Sequence, residues 1–304
     1  MPDLKGHRAL VTGASSGLGA EMATLLASWG CDLVLAARRR DRMEDLAATL
    51  RAAHGVSVEV ITADLATPGA ATALWRAATA GGEVRVLINN AGYGYFRAFG
   101  DVTLAHDLAM LQLNVVTLVE LTYHFVAAAR RSERRAYVLN VGSIAAYQSV
   151  PHFASYAASK AYVRNFSEAL WGETRGSNVS VTCLSPGGTR TEFLDVAGQR
   201  VHGRLAEASM MDAAPVARRG LEAMLAGKRN VIPGFMNKMS CWLVRLVPRR
   251  MASWASMKIL RRPPRTPVPG QRSDAAAAPQ ALAVEGARMA LEPAASAASP
   301  GEAP

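Results

Sequence analysis

Short apolar runs of strand length recur through residues 1–235 and alternate with stretches of helical period. The runs are His7–Thr12, Leu33–Ala37, Val56–Ile61, Val84–Ile88, Tyr137–Val141, Val179–Leu184 and Asn230–Ile232. Between them, apolar positions return every three to four residues up to Trp29 and over 41–54, 69–80, 103–130, 155–175 and 213–226. Strands that read as continuous apolar runs are buried on both faces, and crossovers of helix length join parallel neighbours. The pattern therefore predicts an α/β chain built on a single doubly wound parallel sheet with right-handed connections. A ligand then binds outside the carboxyl ends of the strands.

The pattern changes after residue 235. Met239, Trp242, Leu243, Leu246 and Val247 fall at i, i+3, i+4, i+7 and i+8, which predicts an amphipathic helix that Pro248 interrupts. Met251, Trp254, Met257, Ile259 and Leu260 continue an apolar and basic segment. Charge sharpens this boundary. The whole chain of 304 residues carries a formal net charge of +10, yet 218–265 alone holds twelve Lys/Arg against one acid, Glu222. The chain before residue 218 is thus close to neutral, and seven of the twelve cations fall in 236–262, a basic amphipathic helical extension. That composition is compatible with peripheral contact to an anionic membrane and equally with a helix that covers the core or a partner subunit. No nucleic-acid reading motif accompanies the charge, so nucleic acid is not expected as a partner. Residues 263–304, rich in Ala and Pro, are expected to be a disordered tail.

Candidate chemistry concentrates in 1–235. Strand His7–Thr12 runs directly into Gly13-Ala14-Ser15-Ser16-Gly17-Leu18-Gly19 and a helix, the setting in which glycines let backbone amides approach a phosphate. Tyr156 and Lys160 stand four apart, on one face of a predicted helix, with Ser143 thirteen residues upstream. An ammonium beside a phenol favours phenolate and is expected to lower the Tyr156 pKa. The three cysteines Cys31, Cys183 and Cys241 and the six histidines show no metal-ligand spacing, and no metal is expected. The polar Met1–Arg8 start predicts no cleaved leader, and a cytoplasmic protein, if bound to a membrane, is expected on its inner face.

Taken in order, Thr12–Gly19, Asp64-Leu65, Asn89-Asn90-Ala91-Gly92, Asn114, Ser143, Tyr156/Lys160 and Pro186-Gly187-Gly188-Thr189-Arg190-Thr191 resemble the motif series of the short-chain dehydrogenase/reductase family over about residues 5–234. The resemblance implies a Rossmann-type catalytic domain over 1–235 and an oxidoreductase that interconverts a carbonyl and a secondary alcohol. It implies a catalytic set of Asn114, Ser143, Tyr156 and Lys160: the phenol as proton donor, Ser143 holding the substrate oxygen, Lys160 on the nicotinamide ribose, and Asn114 anchoring a water. Cofactor contacts carried over by the same resemblance are Gly13, Ser15, Ser16, Gly17, Leu18, Gly19, Asp64, Leu65, Asn90, Ala91, Gly92, Pro186, Gly187, Thr189 and Thr191, with Tyr156 and Lys160. Asp64 would bond the adenine, although its place before Ala66-Thr67-Pro68 also suits a helix cap.

Cofactor choice follows from the second strand. Ala37 occupies the position of the family's NAD-selecting aspartate, and Arg38 that of its phosphate-binding arginine, with Arg39 and Arg40 beside it. NADP(H) is expected over NAD(H), Arg38 and Arg39 taking the 2′-phosphate together with Ser15 and Ser16. Ser16 stands where many NADP-dependent members carry a basic residue. Glu192–Met211 corresponds to the family's substrate lid; Phe193, Leu194, Val196, Leu205, Met210 and Met211 suggest a lipophilic ketone, 3-oxoacyl or steroid-like. Tyr93, Tyr95, Phe96, Phe99 and His152 are further candidates for the substrate wall. A homodimer or homotetramer through 103–130 and 155–175 is implied. The competing reading is a cofactor-binding regulator or scaffold without turnover, for which the complete polar set would be superfluous.

Overall fold

A computed structural model describes residues 4–197 and 210–259. The tail 263–304 and the central part of the expected lid, including Leu205, lie outside the described residues. β1 (Arg8–Thr12), β2 (Asp32–Ala37), β3 (Val58–Thr62), β4 (Val84–Asn89), β5 (Ala136–Val141), β6 (Val179–Leu184) and a short β9 (Asn230–Val231) form one sheet in the order β3-β2-β1-β4-β5-β6-β9. Every pairing is parallel. The chain crosses from β3 at one edge to β4 beside β1, so the order reverses between β1 and β4. That reversal opens the crevice in which such sheets bind ligands.

Helices cover both faces. On one, α1 (Gly17–Ser28), α2 (Arg40–His54) and α8 (Ala213–Leu225) enclose Met22, Leu26, Leu33, Leu35, Leu50 and Leu221. On the other, α3 (Ala70–Ala80) and α5 (Leu118–Ala129) close over Leu10, Val34, Leu74, Leu87, Leu121 and Phe125. Both layers are needed because the strands alternate into two apolar faces, with Val34 on one side and Leu33 and Leu35 on the other. The expected helix 103–130 is continuous but not uniform. α4 (Leu104–Leu111) and α5 flank a π-helical stretch, Gln112–Thr117, in which the widened turn faces Asn114 and Thr117 inward. By length and composition Leu104–Ala129 is long and apolar enough to cross a membrane, but Leu121 and Phe125 hold it in the core against the sheet.

α6 (Ala154–Glu173) packs along β6, and α7 (Phe193–Ala197) follows the short strand β7 (Thr189–Arg190), which pairs with β8 (Met211–Asp212). The C-terminal pair, α9 (Phe235–Leu243) and α10 (Arg249–Ile259), is separated by a 3-10 turn at Val244–Leu246 and by Pro248. The proline interrupts the helix as its missing N–H requires, and its carbonyl accepts from Met251 N at 2.9 Å to start the next one. The apolar side of α9 does not cover the core. Phe235, Met239, Trp242 and Leu246 face outward, which corrects the covering-helix alternative for this face.

Candidate active site

The glycine loop is built for close approach. Gly13 and Gly17 adopt φ of +66° and +54°, in the left-handed region that disfavours side chains. A Cβ on Gly19 would lie 2.3 Å from the Gly13 carbonyl oxygen, so the first helical turn can form only with glycine there. Asn90 completes the cradle from β4: its amide donates to the Thr12 and Gly13 carbonyls at 3.0 and 3.2 Å, while Thr12 Oγ1 accepts from Asn90 N and Ala91 N. The Asn90 side chain therefore holds the loop. The Pro186–Thr191 loop approaches the N-terminus of α1, with Thr191 Cγ2 3.0 Å from where a Gly17 Cβ would be. This cradle fits a dinucleotide pyrophosphate.

In the arginine corner, it is Arg39 that contacts the serines of the glycine loop. Arg39, at the N-cap of α2, donates to Ser15 Oγ (3.2 Å) and Ser16 Oγ (2.8 Å) and to Glu192 (2.7 Å). Arg42 also binds Glu192. Hydrogen bonds from Arg42 and then Arg39 hold the Glu192 carboxyl down at about 2. Arg38 is exposed, and its charge instead reaches Tyr93 and Tyr95, where it offsets part of the upward push of burial on both phenols. Asp64 is exposed at the end of β3 and accepts from Ala66 N at 3.1 Å, a capping contact, while buried Leu65 receives Thr117 Oγ1 on its carbonyl. Sequence reasoning missed Glu192 as an arginine partner, because nothing local links residues 150 positions apart.

The four residues of the expected catalytic set converge at the ends of β4 and β5. Ser143 caps the 3-10 turn after β5 and is hydrogen-bonded to the Tyr156 phenol, while its Oγ accepts from Ala145 N at 3.1 Å. Tyr156, 7% exposed, lies on the first turn of α6 between Phe153 (ring centroids 4.2 Å apart) and Phe193 (5.4 Å). Lys160, one turn further on, donates to the Val141 carbonyl at 2.8 Å, with its Nζ 5.8 Å from the Tyr156 ring centre. Asn114 donates to the Tyr93 carbonyl (2.9 Å) and Ser159 Oγ (3.1 Å) and accepts from Tyr93 N (3.1 Å). Gly92 lies where Asn114 and Lys160 meet: a Cβ there would be 2.9 Å from Asn114 Oδ1 and 3.3 Å from Lys160 Nζ.

Burial dominates the electrostatics. It pushes the Tyr156 phenol up to about 12, against the hydrogen bond from Ser143, and pulls Lys160 down to about 8. The expected lowering of the phenol by the ammonium is thus not met in this closed state. Lys160 faces a backbone carbonyl, and desolvation outweighs every other influence on Tyr156. At neutral pH the phenol keeps its proton and can donate it.

A buried relay ties the site to the sheet. Asn89 donates to Thr122 Oγ1 and Asn140 Oδ1 at 3.0 and 2.9 Å, and Asn140 donates to Ser167 Oγ at 2.9 Å, linking β4, α5, β5 and α6. Gly94 is a further requirement that the motifs did not single out. A Cβ there would fall 2.5 Å from the Tyr156 ring and 2.8 Å from Phe153. In the Pro186–Thr191 loop, Pro186 accepts from Ile144 N (2.9 Å), Thr189 Oγ1 donates to the Gly187 carbonyl (3.1 Å), and Thr191 Oγ1 to that of Thr189 (3.4 Å). Gly187 is also covered by Asn237 of α9, 2.4 Å from a would-be Cβ. Beside the phenol, Tyr95, Phe99, Met110 and Tyr156, together with Arg97, Asp107 and Ser155, line a small cavity of about 20 Å³. Tyr93 and Phe96 pack in the same apolar cluster, whereas His152, at φ +65°, packs edge-on against Phe96 outside that cavity.

The family model for short chain dehydrogenases matches residues 7–201. The chain is 31% identical to 7beta-hydroxysteroid dehydrogenase of Collinsella aerofaciens over 189 residues, which span 62% of this chain and 71% of that protein. It is 32% identical to dehydrogenase/reductase SDR family member 7B of Mus musculus over 267 residues, 83% of this chain and 82% of that one. Among solved structures it is similar to a short-chain dehydrogenase from Sphingobium yanoikuyae in complex with NADPH, with a TM-score of 0.71, 29% identity and coverage of 84% and 96% of the two chains.

Proposed function

The chain belongs to the short-chain dehydrogenase family, oxidoreductases that interconvert carbonyls and alcohols with a nicotinamide cofactor, and we propose that it is an NADPH-dependent reductase of lipophilic ketones. One observation carries the reading: a fully protonated, buried phenol hydrogen-bonded to Ser143, one helical turn from a buried lysine, beside a cradle shaped for a dinucleotide. The bound dinucleotide supplies the hydride, and the protein supplies orientation and a proton. Tyr156 donates its phenolic proton to the oxygen of the reacting carbonyl. Ser143 donates a hydrogen bond to the same oxygen and fixes it within reach of the phenol. Lys160 turns from the Val141 carbonyl to the ribose hydroxyls and brings its positive charge to the developing phenolate. Asn114 holds Tyr93 and Ser159, and through them the floor beneath Lys160.

The preference for NADPH rests on Arg39, which holds a carboxylate through one nitrogen and Ser15 and Ser16 through the others, and would hold a 2′-phosphate by the same charge-assisted hydrogen bonding. A bound 2′-phosphate would take the place of Glu192 on Arg39. The lipophilic substrate class is supported by the Phe153, Tyr156 and Phe193 stack, by the hydroxysteroid relative, and by the apolar cluster Phe96, Met110 and Val150 around it. The exposed Leu104, Leu108, Val116, Tyr123 and Tyr162 on α4–α6 support association of copies through that face. Consumption of NADPH and NADH over 3-oxoacyl thioesters, steroid ketones, aromatic ketones and short aldehydes tests the proposal. Turnover of apolar ketones with NADPH is expected; equal use of NADH, or activity confined to short aldehydes, would refute the cofactor or the substrate assignment.

A further inference from the structure

A surface helix normally turns its large apolar positions inward and leaves small or charged ones in water. α9 and α10 do the reverse. The side chains that α9 buries are Asn237 and Cys241, and those of α10 are Ala252 and Ser256. Outward, α9 and the following turn present Phe235, Met239, Trp242 and Leu246, whose spacings of four, three and four keep them on one face. α10 adds Met251 and Trp254, the latter 59% exposed. Ten of the sixteen large apolar side chains exposed among the described residues fall between Phe235 and Met257. Exposed apolar side chains concentrated in this way mark a contact with something other than water.

Charge identifies the occupant. Lys238, Arg245, Arg249, Arg250 and Lys258 are all exposed around this face, and the sequence holds no Asp or Glu from 223 to 273. A second copy of the same surface would oppose like charges across the contact. The remaining chain, 260–304, is Ala/Pro-rich with few large apolar residues and carries Arg261, Arg262 and Arg265 before its first acid, Asp274. An anionic lipid surface satisfies both halves of the pattern, with apolar side chains among acyl chains and cations at headgroup phosphates. Tryptophan suits that boundary, and Lys258 Nζ lies 5.3 Å over the Trp254 ring, cation and indole at one level. We propose that α9 and α10 form the docking surface for an anionic bilayer. The surface adjoins the catalytic cleft: a groove of about 450 Å³ runs between Arg249, Trp254 and Met257 of α10 and Ser149 and Pro151, in the segment that joins Ser143 to Tyr156. Asn237 meanwhile packs on Gly187 of the cofactor loop.

Flotation of the full chain with phosphatidylcholine vesicles, with and without phosphatidylglycerol, tests this independently of any turnover. The protein is expected to float with the anionic vesicles, to stay behind with the neutral ones, and to detach as salt is raised. The double substitution Trp242→Glu/Trp254→Glu is expected to abolish flotation while NADPH binding is kept. Arg249→Gln/Arg250→Gln, which leaves the apolar face intact, is expected to weaken it on the order of tenfold. Absence of flotation with anionic vesicles overturns the proposal, and so does equal binding to neutral ones. Dissociation of an oligomer in the Trp242→Glu/Trp254→Glu protein, without lipid binding in the wild type, would assign the face to a second copy instead.

Discussion

The cleft at the carboxyl ends of β4 and β5 and the C-terminal pair α9–α10 both break the rule that apolar groups go inside and polar groups outside, in opposite senses. In the cleft, Asn114, Lys160, Ser159 and the Tyr156 hydroxyl are buried, and each finds a hydrogen-bond partner. On α9–α10, indoles and methionines stand in solvent while an asparagine and a serine are buried. Burying polar groups is tolerable only when they are satisfied, and doing so shifts their proton affinities. Exposing apolar groups is tolerable, and leaves their chemistry unchanged, when a partner covers them. The first departure therefore points to chemistry within the chain, the second to contact outside it. The two regions meet at Gly187, where Asn237 packs on the Pro186–Thr191 loop.

The sharpest way to break the comparison is to remove the buried chemistry. Tyr156→Phe or Lys160→Met should lower turnover by about 10²–10⁴-fold in steady-state assays while leaving the sheet and its thermal transition in place. Next comes the space that the phenol occupies. Gly94→Ala would put a methyl 2.5 Å from the Tyr156 ring, so a loss of about 1–3 kcal/mol in stability is expected by denaturant unfolding, with a matching fall in activity. The pH profile is gentler. Lys160 is charged below about 8 and neutral above it, so ketone reduction should be flat at lower pH and decline as pH rises through about 8. Tyr156, pushed up to about 12, stays protonated across that range and sets no limb of its own. The smallest effect concerns the arginine corner: Glu192→Gln should tighten NADPH binding a few-fold, on the order of 1 kcal/mol or less for an exposed pair, without changing NADH binding by calorimetry.

Much of the cleft was legible in the sequence because its requirements are local. Glycines at 13, 17 and 19, the four-residue step from Tyr156 to Lys160, and the strand ends before Asn90 and Ser143 each follow from short-range geometry. The strands and helices also fall within a residue or two of the hydrophobic periods. What was not legible depends on the third dimension. The π-helical turn that positions Asn114 has the same apolar period as the α-helix around it. The direction of Lys160 toward Val141 depends on how α6 meets β5, and the burial that raises Tyr156 depends on the packing around it. The Glu192 bridge to Arg39 and Arg42 joins distant segments. For α9, periodicity revealed an apolar face and the charge around it, but not that small residues would take the inner side.

The most direct test of the account measures NADPH binding and NADPH-dependent ketone reduction on the same preparations of wild type and Tyr156→Phe. The account predicts unchanged NADPH affinity and turnover reduced by about 10²–10⁴-fold in the variant. Near-normal reduction by Tyr156→Phe would contradict it, since the proton would then come from a group other than the buried phenol.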